Sequence, residues 1–123
     1  MQEDESGRKT KFSVHRLYVS DDAMELMIRA IANLSRANRR FETLRDVVLH
    51  VLNTAPDIAD ETIERFRDLL PLDGQTRIFL RVNQDEAAAL EALKDELTAR
   101  SLHTCNVRDA VCFCCLQIAE EQV

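Results

Sequence analysis

The sequence of 123 residues predicts a mainly helical fold with a two-stranded antiparallel β ribbon, in the order β-α-α-linker helix-β-α-α. Three features predict it: few turn residues, two short segments that alternate apolar and polar residues, and an internal repeat. With only two Gly and two Pro, turns are scarce and long helices are favoured. The content of 46% hydrophobic and 31% charged residues is typical of a globular protein. No apolar run approaches the roughly 18 residues of a membrane span.

The internal repeat has a period of 63 residues and needs no gap. Seven identical pairs support it: Leu17/Leu80, Val19/Val82, Asp22/Asp85, Leu34/Leu97, Arg45/Arg108, Asp46/Asp109 and Val48/Val111. We therefore predict one domain over residues 11–123, made of two repeats (11–52 and 75–119) related by a pseudo-twofold axis. Residues 53–74 are predicted to be a helical linker, and residues 1–10, charged and without apolar anchors, a disordered tail.

Each repeat begins with a strand that has one apolar face. In the first strand, Leu17 and Val19 share a face with His15, and in the second, Leu80 and Val82 share one with Ile78. This period of two is typical of a half-buried strand. The opposite faces carry Val14, Arg16 and Tyr18 in one strand and Arg77, Phe79 and Arg81 in the other.

Two helices are predicted after each strand. Ser20 or Asp21 caps the first helix of one repeat, and Asn83 caps that of the other. The second helices open with Thr43-Leu44-Arg45-Asp46 and Asn106-Val107-Arg108-Asp109, which predict capping boxes. The bodies of these second helices are apolar nearly all round, so we expect them to be buried.

A lone strand followed by two helices cannot bury its apolar face. Two copies can do so if their strands pair antiparallel and the helices cover one side of the ribbon. The other side would then present three arginines among apolar and aromatic side chains. This pattern indicates either a nucleic-acid surface, a protein-binding surface or simply the solvated side of an amphipathic ribbon.

This strand-helix-capped helix order, present twice, resembles the ribbon-helix-helix family of DNA-binding proteins in a tandem, single-chain form. The resemblance covers about residues 12–52 and 75–119 and implies a single-chain double ribbon-helix-helix fold. It also implies that the ribbon enters the major groove of double-stranded DNA. The contacts implied for the ribbon are Val14, Arg16, Tyr18, Arg77, Phe79 and Arg81. The phosphate contacts implied at the second helices are Thr43, Leu44, Arg45, Asn106, Val107 and Arg108.

The same resemblance implies an accessory protein of the bacterial cytoplasm that promotes T-DNA or conjugative DNA processing and transfer. Its partners would be double-stranded DNA and a relaxase or transfer complex, with no membrane, and the chain would be a monomer containing an internal pseudo-dimer. The alternative is a protein-interaction module, such as an antitoxin or a transcriptional repressor. The net charge of −6 disfavours nucleic acid on its own, but residues 11–52 sum to +2 while the linker sums to −4.

The remaining polar groups do not predict catalysis. His15, His50 and His103 form no pair or triad with a recognisable spacing, so we predict no enzyme, no cofactor and no metal. The four cysteines are predicted to be buried free thiols in a reducing compartment; they are Cys105, Cys112, Cys114 and Cys115. Metal or redox chemistry at Cys112 and Cys115 is the alternative. Arg36, Arg39 and Arg40 form either a solvated connector or a flanking phosphate contact.

The two strands differ in sequence, and this leads to a prediction about the DNA site. A homodimer reads both half-sites with identical strands, which favours palindromes. Here one strand presents Val14, Arg16 and Tyr18 and the other presents Arg77, Phe79 and Arg81, so the preferred site should not be palindromic. Selection of binding sites from a random duplex library measures this, and enrichment of a perfect inverted repeat would contradict it.

Overall fold

The computed structural model describes residues 11–120, so the predicted tail, residues 1–10, lies outside the described residues. In chain order, the elements are β1 (Phe12–Val19), α1 (Asp21–Asn38), α2 (Leu44–Thr54), α3 (Asp60–Leu69), β2 (Thr76–Asn83), α4 (Gln84–Ser101) and α5 (Val107–Ala119). No helix within residues 11–120 combines the length and the hydropathy needed to cross a bilayer.

The two strands form one antiparallel sheet. Phe12 lies opposite Asn83, and Val19 lies opposite Thr76. Leu17 and Val19 on one strand and Leu80 and Val82 on the other are buried against the helices. This burial sets the register, because a slip by one residue would turn every apolar side chain to solvent.

The helix α5 lies at the centre of the core. All residues from Asp109 to Leu116 are buried, as is Ile118. Helices α1, α2 and α4 pack around it. The prediction that the second helix of each repeat is buried is therefore confirmed for α5. The counterpart α2 is buried on one side only, through Val47, Val48 and Val51.

The predicted fold class, a single-chain double ribbon-helix-helix fold with two pseudo-twofold repeats joined by a helical linker, is wrong. The observed order is β-α-α-α-β-α-α, with three helices after β1 and two after β2. The physical reason is that α3 is more than a connection between two repeats. It buries Ile63 and Phe66 and packs against α4 and α5, so it is a fifth helix of the core. The two-stranded antiparallel sheet and the mainly helical content agree with the prediction.

The chain between α3 and β2 passes very close to the end of β1. The Ser20 backbone N–H donates a hydrogen bond to the Leu72 carbonyl, at 2.9 Å. A Cβ atom at Gly74 would lie only 2.5 Å from Ser20 Cα, so this close approach of the two backbones requires glycine.

The packing of α3 gives a test of the corrected fold. The Phe66 ring meets Phe113 of α5 edge to face, with centroids 5.5 Å apart. Phe66→Ala should therefore lower the free energy of unfolding by about 3–5 kcal/mol, measured by urea denaturation. Phe41→Ala is the control, because Phe41 is fully exposed. Equal stability of the two variants would contradict a core position for α3.

Candidate nucleic-acid interface

The face of the ribbon that points away from the helices is exposed and pairs apolar side chains with arginines. Across the strands, Val14 lies opposite Arg81, Arg16 opposite Phe79, and Tyr18 opposite Arg77. The exposed fractions are 60% for Val14, 56% for Phe79 and 44% for Tyr18, and the three arginines are exposed as well. All six ribbon residues singled out from the sequence thus share one surface, which we call the ribbon face.

The ribbon face has the opposite charge sign to the chain as a whole. Neither strand contains an acidic residue, while together they carry three arginines. Among residues 11–120, no carboxylate forms an ion pair with any of these arginines. The overall charge of −6 is therefore no guide to the local potential here.

Phe12 extends the ribbon face by one position, and the sequence analysis missed it. Its ring is 41% exposed. The Arg81 guanidinium lies 4.4 Å from the ring centroid and that of Arg45 lies 5.4 Å from it. The signal was present, since Phe12 lies two residues before Val14 and continues the alternation. Arg77 makes the same kind of contact with Phe79, at 5.4 Å. These cation–π contacts orient Arg77 and Arg81 on the ribbon face.

Arg45 ties the start of α2 to the ribbon. Its Nε donates to the Arg81 carbonyl at 3.0 Å, and its Nη2 donates to both Glu86 oxygens at 3.0 and 2.8 Å. Glu86 in turn accepts from the Asn83 backbone N–H in the capping box of α4. The Arg45 guanidinium is thus bonded to other groups of the protein. The phosphate contact that the resemblance implies for Arg45 would therefore be made by its backbone N–H.

The start of α2 is held by the predicted capping box, which is confirmed. The Thr43 hydroxyl accepts from the Asp46 N–H at 3.2 Å, and Asp46 accepts from the Thr43 N–H at 2.8 Å. That backbone hydrogen bond lowers the pKa of Asp46, against the opposing effect of burial. Because the pKa is lowered by folding, the carboxylate stabilises the protein above its ordinary pKa and loses this effect as the pH falls.

The start of α5 has the same arrangement. Asn106 accepts from the Asp109 N–H, and Asp109 accepts from the Asn106 N–H, both at 3.1 Å. Within the described chain, the N–H groups of Leu44, Arg45, Val107 and Arg108 have no hydrogen-bond partner, as expected for the first turn of a helix. Both helix starts therefore offer free N–H groups at the positive end of a helix dipole.

The cysteines are buried in the core and lie outside this surface. All four are free thiols, and Cys112, Cys114 and Cys115 sit in the buried stretch of α5. Burial raises the pKa of Cys112 and Cys114 to about 12 and that of Cys115 well above its ordinary value. Over residues 11–120, no three His, Cys, Asp or Glu side chains are grouped so as to hold a metal ion. Their burial and raised pKa values favour a structural role for these thiols over a reactive one.

Comparison of the chain with protein-family models, with curated proteins and with solved structures finds no match. The ribbon face and the two helix starts are the features of the molecule that point to a function.

The buried thiols give a prediction that distinguishes structural cysteines from metal-binding or redox-active ones. In a Cys105→Ser variant at about pH 8, Cys112, Cys114 and Cys115 should not react with a thiol reagent such as dithionitrobenzoate while the protein is folded. Burial keeps the reagent away from the sulfur atoms, and the raised pKa values suppress formation of the reactive thiolate. All three should react once guanidinium unfolds the chain. Rapid reaction of the folded variant would instead indicate accessible redox-active or metal-binding thiols.

Proposed function

We propose that the protein binds double-stranded DNA, with the ribbon face inserted in the major groove and the starts of α2 and α5 against the phosphate backbone. The observation that carries the proposal is the ribbon face itself: an exposed surface with three arginines, no acid and interleaved apolar side chains. Exposed apolar side chains grouped among polar ones are typical of an interaction site.

The dimensions of the ribbon suit the groove. Paired strands lie about 4.8 Å apart, and the major groove of B-DNA is about 12 Å wide and admits a two-stranded ribbon. Arg16, Arg77 and Arg81 have donors that match the O6 and N7 acceptors of guanine, while Val14 and Phe79 have surfaces that suit thymine methyl groups.

The helix starts supply the second part of the interface. Free N–H groups at a helix N-terminus bind phosphate without a side-chain charge. Arg45 bonds to the Arg81 carbonyl, so the start of α2 lies beside one end of the ribbon. In this proposal, phosphate contacts fix the orientation and the ribbon reads the bases.

The accessory role in DNA transfer rests on the sequence resemblance alone, and DNA binding does not depend on it. A protein-interaction module is the alternative, since Val14, Tyr18 and Phe79 would also suit an apolar partner. The two strands carry three arginines and no acidic residue, which favours a polyanion over such a partner.

Replacement of Arg16 gives the cleanest test. Arg16→Ala should weaken binding to a duplex carrying the preferred site by about 1–3 kcal/mol, the contribution of a bidentate contact to guanine. Arg81→Ala should have a similar effect, but it also removes the contact with Phe12. Fluorescence anisotropy at two salt concentrations measures the affinity and its salt dependence, which phosphate contacts make steep.

Arg67→Ala is the matched control because it makes the same change in charge at an exposed position of α3. It should bind like the unmodified protein. Unchanged binding of Arg16→Ala and Arg81→Ala at low salt would remove the ribbon face from the interface. Absence of any salt-dependent duplex binding by the unmodified protein would favour the protein-interaction module.

A further inference from the structure

Phe41 is the most exposed large apolar side chain among the described residues. It is 100% exposed, in the connector between α1 and α2. We call residues 36–41, the last residues of α1 and the first residues after it, the first connector. A fully exposed phenylalanine is ordinary by itself, but beside a cluster of exposed arginines it forms a surface that a partner can use.

The first connector is held in place rather than left loose. Glu42 is buried at 7% exposure, its N–H donates to Ser35 Oγ at 2.9 Å, and its carboxylate accepts from Asn38 Nδ2 at 2.7 Å. Arg40 adds an ion pair to the same carboxylate at 3.1 Å. The turn at the end of α1 is closed by Arg39, which has a left-handed backbone with φ of 58°. Phe41 therefore projects from an anchored turn.

The charge around Phe41 is positive and points to an anionic partner. Arg36, Arg39 and Arg40 are all exposed, and they surround the same surface hollow as Phe41. Of these three arginines, only Arg40 forms an ion pair with a carboxylate of residues 11–120. Cations around an exposed apolar ring suit a phosphate backbone with its sugars and exclude a cationic partner.

The first connector leads directly into the start of α2. Phe41 precedes the α2 cap, Thr43, by only two residues, a span of at most about 7 Å. The start of α2 is bonded to the ribbon through Arg45. The connector is consequently beside the helix start that is proposed to hold phosphate, on the flank of the ribbon.

The corresponding connector between α4 and α5 also exposes a large apolar side chain, Leu102 at 81%, but it has neither the aromatic ring nor the arginines. At a shift of 63 residues, Leu102 replaces Arg39, His103 replaces Arg40 and Thr104 replaces Phe41. Leu102 has the same left-handed backbone, with φ of 63°, so the turns are alike and only the side chains differ. The charge and the exposed ring are on one side only.

We infer that the first connector is an additional, one-sided contact to the DNA that flanks the ribbon site. Arg36 and Arg39 neutralise backbone phosphates there, and Phe41 packs against the adjoining sugars. This inference rests on the proposed function and extends it: the protein covers more DNA on the α2 side than on the α5 side, and so binds in one orientation.

The test compares an about 30-base-pair duplex with an about 12-base-pair duplex that lacks flanking DNA, both of the same central sequence. On the long duplex, an Arg36→Ala/Arg39→Ala variant should reduce the slope of log affinity against log salt by about 2, since each phosphate contact contributes about 0.9. Phe41→Ala should weaken binding about tenfold, the effect of burying roughly 55 Å² of ring. On the short duplex both variants should bind like the unmodified protein.

Two controls match these variants. Arg65→Ala/Arg67→Ala on α3 makes the same change in net charge, and Leu102→Ala/His103→Ala alters the second connector. Both should leave the slope on the long duplex unchanged. An unchanged slope for Arg36→Ala/Arg39→Ala, or a loss equal on both duplexes, overturns the one-sided contact while DNA binding by the ribbon stands. If the unmodified protein binds neither duplex, the proposed function fails and this inference fails with it.

Discussion

The pairing of β1 with β2 is the constraint on which the rest of the structure depends. The two strands are far apart in the chain, and closing that loop costs conformational entropy. What offsets the cost is the burial of Leu17, Val19, Leu80 and Val82 under the helices. The same register that buries these four side chains exposes their neighbours, because strand side chains alternate between faces. The core and the candidate interface are thus two results of one pairing.

A small set of polar contacts joins the starts of α2 and α4 to this ribbon. Arg45 bridges the Arg81 carbonyl and Glu86, and Glu86 also completes the cap of α4. The capping boxes of α2 and α5 consume some of the first-turn N–H groups and leave others free. The positions of the free N–H groups relative to the strands are therefore fixed by packing and capping together.

The two halves of the chain differ where their sequences differ. Helix α3 fills part of the core through Phe66, so the first half contributes three helices and the second half two. The two connectors have similar backbone turns but different side chains: the first carries arginines and Phe41, and the second carries Leu102 and His103. A chain that contains both halves can diversify each separately, which identical subunits of a homodimer cannot do.

The sequence by itself determined the local structure: the alternation of both strands, the caps at Thr43, Asn83 and Asn106, and the burial of α5. These follow from short-range periodicity and hydrogen bonding, which few residues encode. Only the tertiary structure decided that α3 belongs to the core and that the Arg45 guanidinium is bonded to Glu86. Both outcomes depend on contacts between residues distant in the chain, and an amphipathic helix or an arginine looks the same in sequence whether or not such a contact forms.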